Sequence, residues 1–265
     1  MSAVRELRRT LDPVATALDL GLSPDPWQRE ALASSADQAL WLCSRQVGKT
    51  EAAIVLALHG ILYGRPGFTA AIISPSQRQS TDAMTRLRRA YDVLRRPVPT
   101  VGDSATALHL ATGSRALALP ASESTVRGLS VDLLILDEAA KIPGPVYTAM
   151  RPSLTATDGR LVALSTPFGR RGWFADAWHD ETADWYRVKV TVQDVPRIAV
   201  RRKKWLERER IALGERAFRS EYLCEFTDTT SQFFPSDLIR NAIRDDIQPI
   251  DISAAIEKSR RRQAS

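Results

Sequence analysis

From residue 39 to 166, short apolar runs alternate with helical patterns. Residues 39–43 (Ala-Leu-Trp-Leu-Cys) predict a buried strand, and residues 48–60 predict a helix with Ala52, Ala53, Val55, Leu56 and Ala57 on its apolar side. Residues 69–74 predict a second strand. A helix follows over about 77–94, where Met84, Leu87, Tyr91 and Leu94 recur at spacings of three and four. Segments 106–111 and 115–119 flank Thr112-Gly113-Ser114 and predict a hairpin. The run from 131 to 136 predicts a central strand covered on both faces. Pro145 opens a short helix to about 154, and 161–165 is another buried strand, ended by Thr166-Pro167. This alternation predicts an α/β fold, with a mostly parallel sheet flanked by helices.

Beyond residue 168 the pattern changes. Tyr186, Val188, Val190 and Val192 alternate with polar residues, as in a half-exposed strand. Residues 200–213 and 215–226 read as charged amphipathic helices, and from Thr227 the chain becomes polar and turn-rich.

Composition narrows the picture only slightly. A chain of 265 residues, 44% hydrophobic, can bury one sizeable core. No apolar run approaches the roughly 20 residues of a membrane helix. The first ten residues are charged and lack a signal-peptide stretch, so the expected compartment is the cytosol. Cys43, Cys224, His59, His109 and His179 show no disulfide framework and no metal spacing, and all five read as structural. A net charge of +6 is weak evidence for a nucleic-acid partner. The basic runs Arg201-Arg202-Lys203-Lys204 and Arg260-Arg261-Arg262 read as a solvated helix face and a frayed tail.

Cys43-Ser44-Arg45-Gln46-Val47-Gly48-Lys49-Thr50 joins a predicted strand to a predicted helix, as a phosphate-binding P-loop requires. Backbone N–H groups of such a loop wrap phosphates, and the helix N-terminus adds its positive end. Ser44, Arg45, Gln46, Val47 and Gly48 would line the phosphates, with Gly48 allowing close approach. Lys49 would reach the β and γ phosphates of ATP, and Thr50 would place its hydroxyl on Mg2+. One position departs from the common pattern, because Cys43 stands where glycine is usual.

Asp137-Glu138 ends the apolar strand, where ligands of open α/β sheets sit. Asp137 would hold Mg2+, directly or through water, and Glu138 would act as general base on the attacking water. Phosphoryl transfer also needs positive charge on the γ-phosphate oxygens. Arg45 could supply it in cis, and Arg127 in cis or toward a neighbouring subunit; a surface salt bridge is the equal alternative for Arg127. Ser165, Thr166 and Pro167 could sense the γ-phosphate. Gln28 could pair with adenine, with Trp27 packed near the base.

In order along the chain, Trp27-Gln28, Ser44-Arg45-Gln46-Val47-Gly48-Lys49-Thr50, Ser74-Pro75-Ser76, Val126-Arg127-Gly128, Leu136-Asp137-Glu138-Ala139, Ser165-Thr166-Pro167 and Tyr222-Leu223-Cys224-Glu225-Phe226 resemble the ATPase domain of a tailed-bacteriophage large terminase subunit. The resemblance covers roughly residues 20–240. It implies a RecA-like (ASCE) P-loop NTPase fold, divided into an N-terminal arm (1–20), an ATPase core (21–167), a lid subdomain (168–228) and a linker or tail (229–265). It implies ATP and Mg2+ as cofactors and hydrolysis that drives double-stranded DNA into procapsids. The implied partners are the portal protein, a small terminase subunit and further copies in a ring, expected to be a pentamer, in the host bacterial cytoplasm with no membrane. By the same resemblance Arg45 matches a cis arginine and Arg127 one acting in trans, while Ser165-Thr166-Pro167 would couple hydrolysis to movement. Such proteins also carry a nuclease domain. Asp245, Asp246 and Asp251 are too few to build one, so nuclease activity is not expected of this chain and would come from a separate domain or chain. The competing readings are a superfamily 2 helicase-like translocase, for which too few residues follow Pro167 to make a second lobe, and a non-catalytic DNA-binding or scaffold module.

Overall fold

The computed structural model describes residues 3–122, 128–200 and 202–227. Its centre is an eight-stranded sheet in the order β3-β4-β5-β2-β6-β7-β1-β8. The strands are β1 (Gln38–Cys43), β2 (Thr69–Ser74), β3 (Thr100–Ser104), β4 (Ala107–Leu110), β5 (Arg115–Pro120), β6 (Leu133–Asp137), β7 (Arg160–Ser165) and β8 (Tyr186–Val190). From β5 to β8 across the sheet every pairing is parallel. The hairpin β4–β5 and the edge strand β3 add antiparallel pairs.

The sheet is buried on both faces because its central strands carry no polar residue until their ends. In β6, Leu133 and Ile135 join the core under one helical layer, while Leu134 and Leu136 join the core on the other face. The first layer holds α4 (Lys49–Tyr63) and α5 (Gln77–Val93). Val55, Leu58, Met84 and Leu87 from these helices meet Trp41, Ile72 and Leu164 of the sheet. The second layer holds α6 (Gly144–Met150) and α7 (Trp173–His179), which contribute Val146, Met150 and Phe174.

The sequence pattern anticipates β1, β2, the β4–β5 hairpin, β6, β7 and β8, with ends displaced by one or two residues. The expected helix over 145–154 divides into α6 and a 3-10 turn, Arg151–Leu154, with Pro152 in its first turn. The two expected terminal helices are both present, as two stretches of α9 (Lys203–Leu223) that meet at a kink at Gly214 (φ 75°, ψ 157°), after the short helix α8 (Pro196–Ala199). Within the stretch 1–20, expected as an arm, two segments form helices, α1 (Ala3–Leu11) and α2 (Pro13–Asp19). Asp12 caps α2 by accepting from the Val14 N–H, and Val14 and Ala17 enter the core beside α4. The edge strand β3 is not anticipated, because Thr-Val-Gly-Asp-Ser is short, polar and largely exposed. Among the described residues, no helix is long and apolar enough to cross a membrane. Residues 228–265, including Asp245, Asp246 and Asp251, lie outside the described residues.

Core burial of this kind makes a stability contrast measurable. Ile135 is 0% exposed and Ile211 is 84% exposed. Urea denaturation is expected to show a loss of about 2–5 kcal/mol for Ile135→Ala and a change within about 0.5 kcal/mol for Ile211→Ala.

Candidate functional site

β1 ends at Cys43, and residues 44–48 turn the chain into α4. Two backbone anchors fix the turn: the Ser44 N–H donates to the Val190 carbonyl at 2.8 Å and the Arg45 N–H to the Glu221 carbonyl at 3.0 Å. Gln46 (φ 61°) and Gly48 (φ 89°) lie in the left-handed region. A Cβ at residue 48 would stand 2.8 Å from Gln28 Nε2, so the loop needs glycine there for conformation and for space. Cys43 has no such need. It sits in strand conformation, in register with Val190 and fully buried. The departure at this position is therefore a strand residue that packs.

The loop delivers Lys49 and Thr50 to the carboxyl end of β6. Lys49 Nζ lies 3.1 Å from Glu138 Oε1, and Glu138 Oε2 lies 2.9 Å from Lys141 Nζ. The Thr50 hydroxyl donates to Asp137 Oδ2 at 3.3 Å, and the Glu138 N–H donates to Asp137 Oδ1 at 3.0 Å. Glu138 takes a left-handed backbone (φ 54°), which turns its side chain back toward α4 instead of continuing the strand. A 3-10 turn, Ala139–Lys141, begins directly after it. Glu138 does not cap this turn with its side chain.

Burial and charge act in opposite directions here. Burial raises the Asp137 carboxyl above the usual range, more than Lys49 and Thr50 lower it. Burial also acts to raise Glu138, but Lys49 and Lys141 outweigh it and hold the carboxyl below the usual range. Burial opposes the charge on Lys49, and the two acids outweigh that effect and raise its pKa. Glu138 is therefore a carboxylate at neutral pH, able to accept a proton once its lysine partners move.

The donor set suits Mg2+. The Thr50 hydroxyl and the Asp137 carboxylate are hard oxygens, and one protein acid plus phosphates and water is the usual environment of that ion. Among the described residues, no group of three or more His, Cys, Asp or Glu gathers into a cage.

On the other side of the loop, a cavity of about 320 Å3 is lined by Leu22, Pro24, Gln28, Gly48, Val55 and Arg197, among others. Gln28 uses both ends of its amide within the protein: Oε1 accepts from the Asp25 N–H at 2.8 Å, and Nε2 donates to the Gly48 carbonyl at 3.1 Å. Trp27 does not line this cavity. Its ring packs edge-on against Trp41 of β1, with centroids 6.2 Å apart, because the indole buries more surface in the core than at the cavity mouth.

The arginines are placed unevenly. Arg45 is paired bidentately with Glu221 of α9, at 2.7 and 2.9 Å, and its side chain is 54% exposed. Arg127 lies outside the described residues. Ser165 Oγ, at the end of β7, accepts from the Ala140 N–H at 3.2 Å and so ties that strand to the turn after Glu138. Thr166 follows it into the interior.

Three partners were not read from sequence. Arg197 donates from Nη2 to the Val47 carbonyl at 2.9 Å and from Nε to Asp25 at 3.1 Å, which clamps the loop to the start of α3 (Pro26–Ala33). Glu221 holds Arg45. Neither carries a local signal, because both lie more than 140 residues from the loop. Lys141 does carry one: it is three residues after Glu138, the spacing at which opposite charges meet on a helical turn.

Burial pushes the Cys43 thiol up, well beyond the usual thiol range, and the Cys224 thiol up to about 12. Both thiols should stay unreactive toward Ellman's reagent at pH 8 in the folded chain and react fully in denaturant. Rapid reaction of either in the native state would contradict this placement.

The model of the family "Terminase large subunit, T4likevirus-type, N-terminal" matches residues 40–241. The large terminase subunit of Thermus phage G20c is 27% identical over 249 residues, covering 81% of this chain and 51% of that protein. That of Thermus virus P23-45 is 28% identical over 256 residues, covering 81% and 51%. The chain thus spans about half the length of these curated relatives. Among solved structures, the large terminase ATPase domain of Thermus phage P74-26 superposes with a TM-score of 0.69 at 25% identity, covering 80% of this chain and 97% of that one. The HK97 bacteriophage large terminase shares the fold, with a TM-score of 0.66 at 18% identity over 83% of this chain and 54% of that one. So does the large terminase of the thermophilic bacteriophage D6E solved in complex with ADP, at 0.59 and 16% over 80% and 52%. With three quarters of its length inside the family's match, the chain belongs to the N-terminal family of T4likevirus-type terminase large subunits.

Proposed function

We propose that the chain is the ATP-hydrolysing motor part of a DNA-packaging terminase. The observation that carries this reading is the meeting of Lys49 and Thr50 with Glu138 and Asp137 at the carboxyl ends of β1 and β6. The P74-26 relative named as an ATPase domain and the D6E relative solved with ADP support it.

In this reading the N–H groups of residues 44–48 and the start of α4 hold the phosphates of ATP. Gln28 and the cavity beside Gly48 receive the adenine. Thr50 and Asp137 hold Mg2+, which neutralises charge on the phosphates. Lys49 exchanges Glu138 for the γ-phosphate. Glu138 then faces the attacking water as a carboxylate and takes its proton. Arg45 supplies positive charge to the transferring group. Its ion pair with Glu221 is largely solvent-exposed, and such pairs are worth only about 0–1 kcal/mol, so releasing the guanidinium costs little beside the charge it would stabilise. Arg127 acts on the nucleotide of a neighbouring copy. The bond between Ser165 and Ala140 gives the segment Ser165-Thr166-Pro167 a mechanical link to the turn that carries Glu138.

Residues 21–167 form the catalytic core and 168–228 the lid that closes over the loop through Arg197 and Glu221, with 229–265 as the linker. The working assembly is a ring, a pentamer in this reading. It acts on double-stranded DNA at the portal of a procapsid in the host cytoplasm and is delivered by the small terminase subunit, with DNA cleavage supplied by a separate domain or chain.

ATP hydrolysis measured alone, with DNA and with procapsids tests the reading. Stimulation by procapsids is expected; hydrolysis stimulated by DNA and indifferent to procapsids would favour a helicase instead. Glu138→Gln should retain ATP binding and lose turnover by about 10²–10⁴-fold, and full turnover in that variant would remove Glu138 as the base. Arg127→Ala should lose about 10³-fold or more of the ring-dependent hydrolysis while leaving the dilute monomer unchanged. Equal loss in both states would rule out action in trans.

A further inference from the structure

Ser74 is the last residue of β2 and is 1% exposed. Its hydroxyl is buried and has no hydrogen-bond partner among the described residues. A buried hydroxyl left in that condition has lost its water without gaining a partner, which is unfavourable. The next hydroxyls along the chain are all engaged: Ser76 with Gln79, and Ser80 with the Ser76 carbonyl. The exception stands at the end of the strand beside the acid pair.

The register says what Ser74 faces. β2 pairs in parallel with β6 up to Ile73 opposite Leu136, so Ser74 and Asp137 are the next residues along their strands. Side chains alternate along a strand. Ala70 and Ile72 share the core under α4 and α5 with Leu133 and Ile135, whereas Ile73 shares the opposite core with Leu134 and Leu136. Ser74 and Asp137 therefore both point to the α4 side, the side that brings Thr50 to Asp137. Pro120 stands level with Ser74 on β5 and offers no N–H and no polar side chain. Neighbouring strands run about 4.8 Å apart, and serine and aspartate are short. A hydroxyl and a carboxylate placed this way, with no direct bond between them, are separated by about the span of one bridging water. A polar cavity of about 610 Å3, lined by Thr50, Ser76, Arg78, Asp137 and Glu138 among others, opens at Asp137.

We infer that Ser74 is a positioning residue for the metal site: its hydroxyl would orient a water that Asp137 shares with the Mg2+ it holds. The inference rests on the proposed nucleotide-hydrolysing role of the site. Ser74 touches neither phosphate nor the attacking water. It acts by orienting the ligand layer that Asp137 anchors, and loss of such outer-sphere partners weakens metal binding by about 10–100-fold.

Calorimetric titration of a non-hydrolysable ATP analogue tests this, with wild-type chain and Ser74→Ala, over a range of Mg2+ concentrations and in EDTA. Thermal unfolding of both chains without ligand completes the test. Removing an unpartnered hydroxyl should leave the ligand-free melting temperature equal or raised. Affinity in EDTA should match wild type. The Mg2+ concentration that gives half of the tight binding should rise about tenfold. An unchanged Mg2+ dependence in Ser74→Ala overturns the inference. So does a fall in melting temperature with parallel losses in EDTA and in Mg2+, which would make the hydroxyl structural. If the wild-type chain binds no analogue even with Mg2+, the proposed function fails and this inference falls with it.

Discussion

The contact between Lys49 and Glu138 is the constraint around which the site is organised. Lys49 is 11% exposed and Glu138 18% exposed, so neither charge is well served by water. Each is held by the other at 3.1 Å. A buried ion pair of this kind is weak evidence for stability, because desolvation offsets most of the attraction, and removing one partner strands the other. The value of the arrangement lies in what replaces it. An anion that enters the loop can take Lys49, and Glu138 is then left beside it as a carboxylate held by Lys141 alone.

The sheet exists in the form that makes this contact. β7 separates β1 from β6, so the loop after β1 and the acids at the end of β6 face each other across one intervening strand. Ser165, at the end of that strand, binds the turn carrying Glu138 and fixes its distance from the loop. The continuous apolar character of β6 carries Asp137 to the rim, where burial raises its carboxyl and Lys49, Thr50 and the Glu138 N–H compensate only in part. Other polar groups of the site show the same economy. Gln28 is spent on Asp25 and Gly48, and Arg45 on Glu221. Each has a protein partner that a nucleotide would have to displace or share.

The local features were legible in the sequence. Gly48-Lys49-Thr50 after an apolar run, and Asp137-Glu138 after another, specify a strand–loop–helix and a strand end by composition alone. The fold brings the two segments within hydrogen-bond distance of each other. The substitution of Cys43 for glycine was readable as an irregularity but not as its cause, because only the backbone shows that the position belongs to the strand. The packing of Trp27 on Trp41 was not readable, since the two are adjacent only in the fold. Arg197 and Glu221 reach the loop from elements far along the chain, and an arginine or glutamate on a charged helix gives no periodic signal that sets it apart. β3 and α2 escaped for a related reason: one is polar and exposed, and the other is too short for its two core residues to show a period.

The account turns on competition between Glu138 and phosphate for Lys49. Its most direct test is the affinity of a non-hydrolysable ATP analogue with Mg2+ for the wild-type chain and for Glu138→Gln, measured by calorimetry at neutral pH. Neutralising the competitor frees Lys49 for phosphate, so the variant should bind more tightly, by about tenfold, the equivalent of ~1.4 kcal/mol. Equal or weaker binding by the variant would show that Glu138 does not hold Lys49 against the nucleotide, and the central claim would fail.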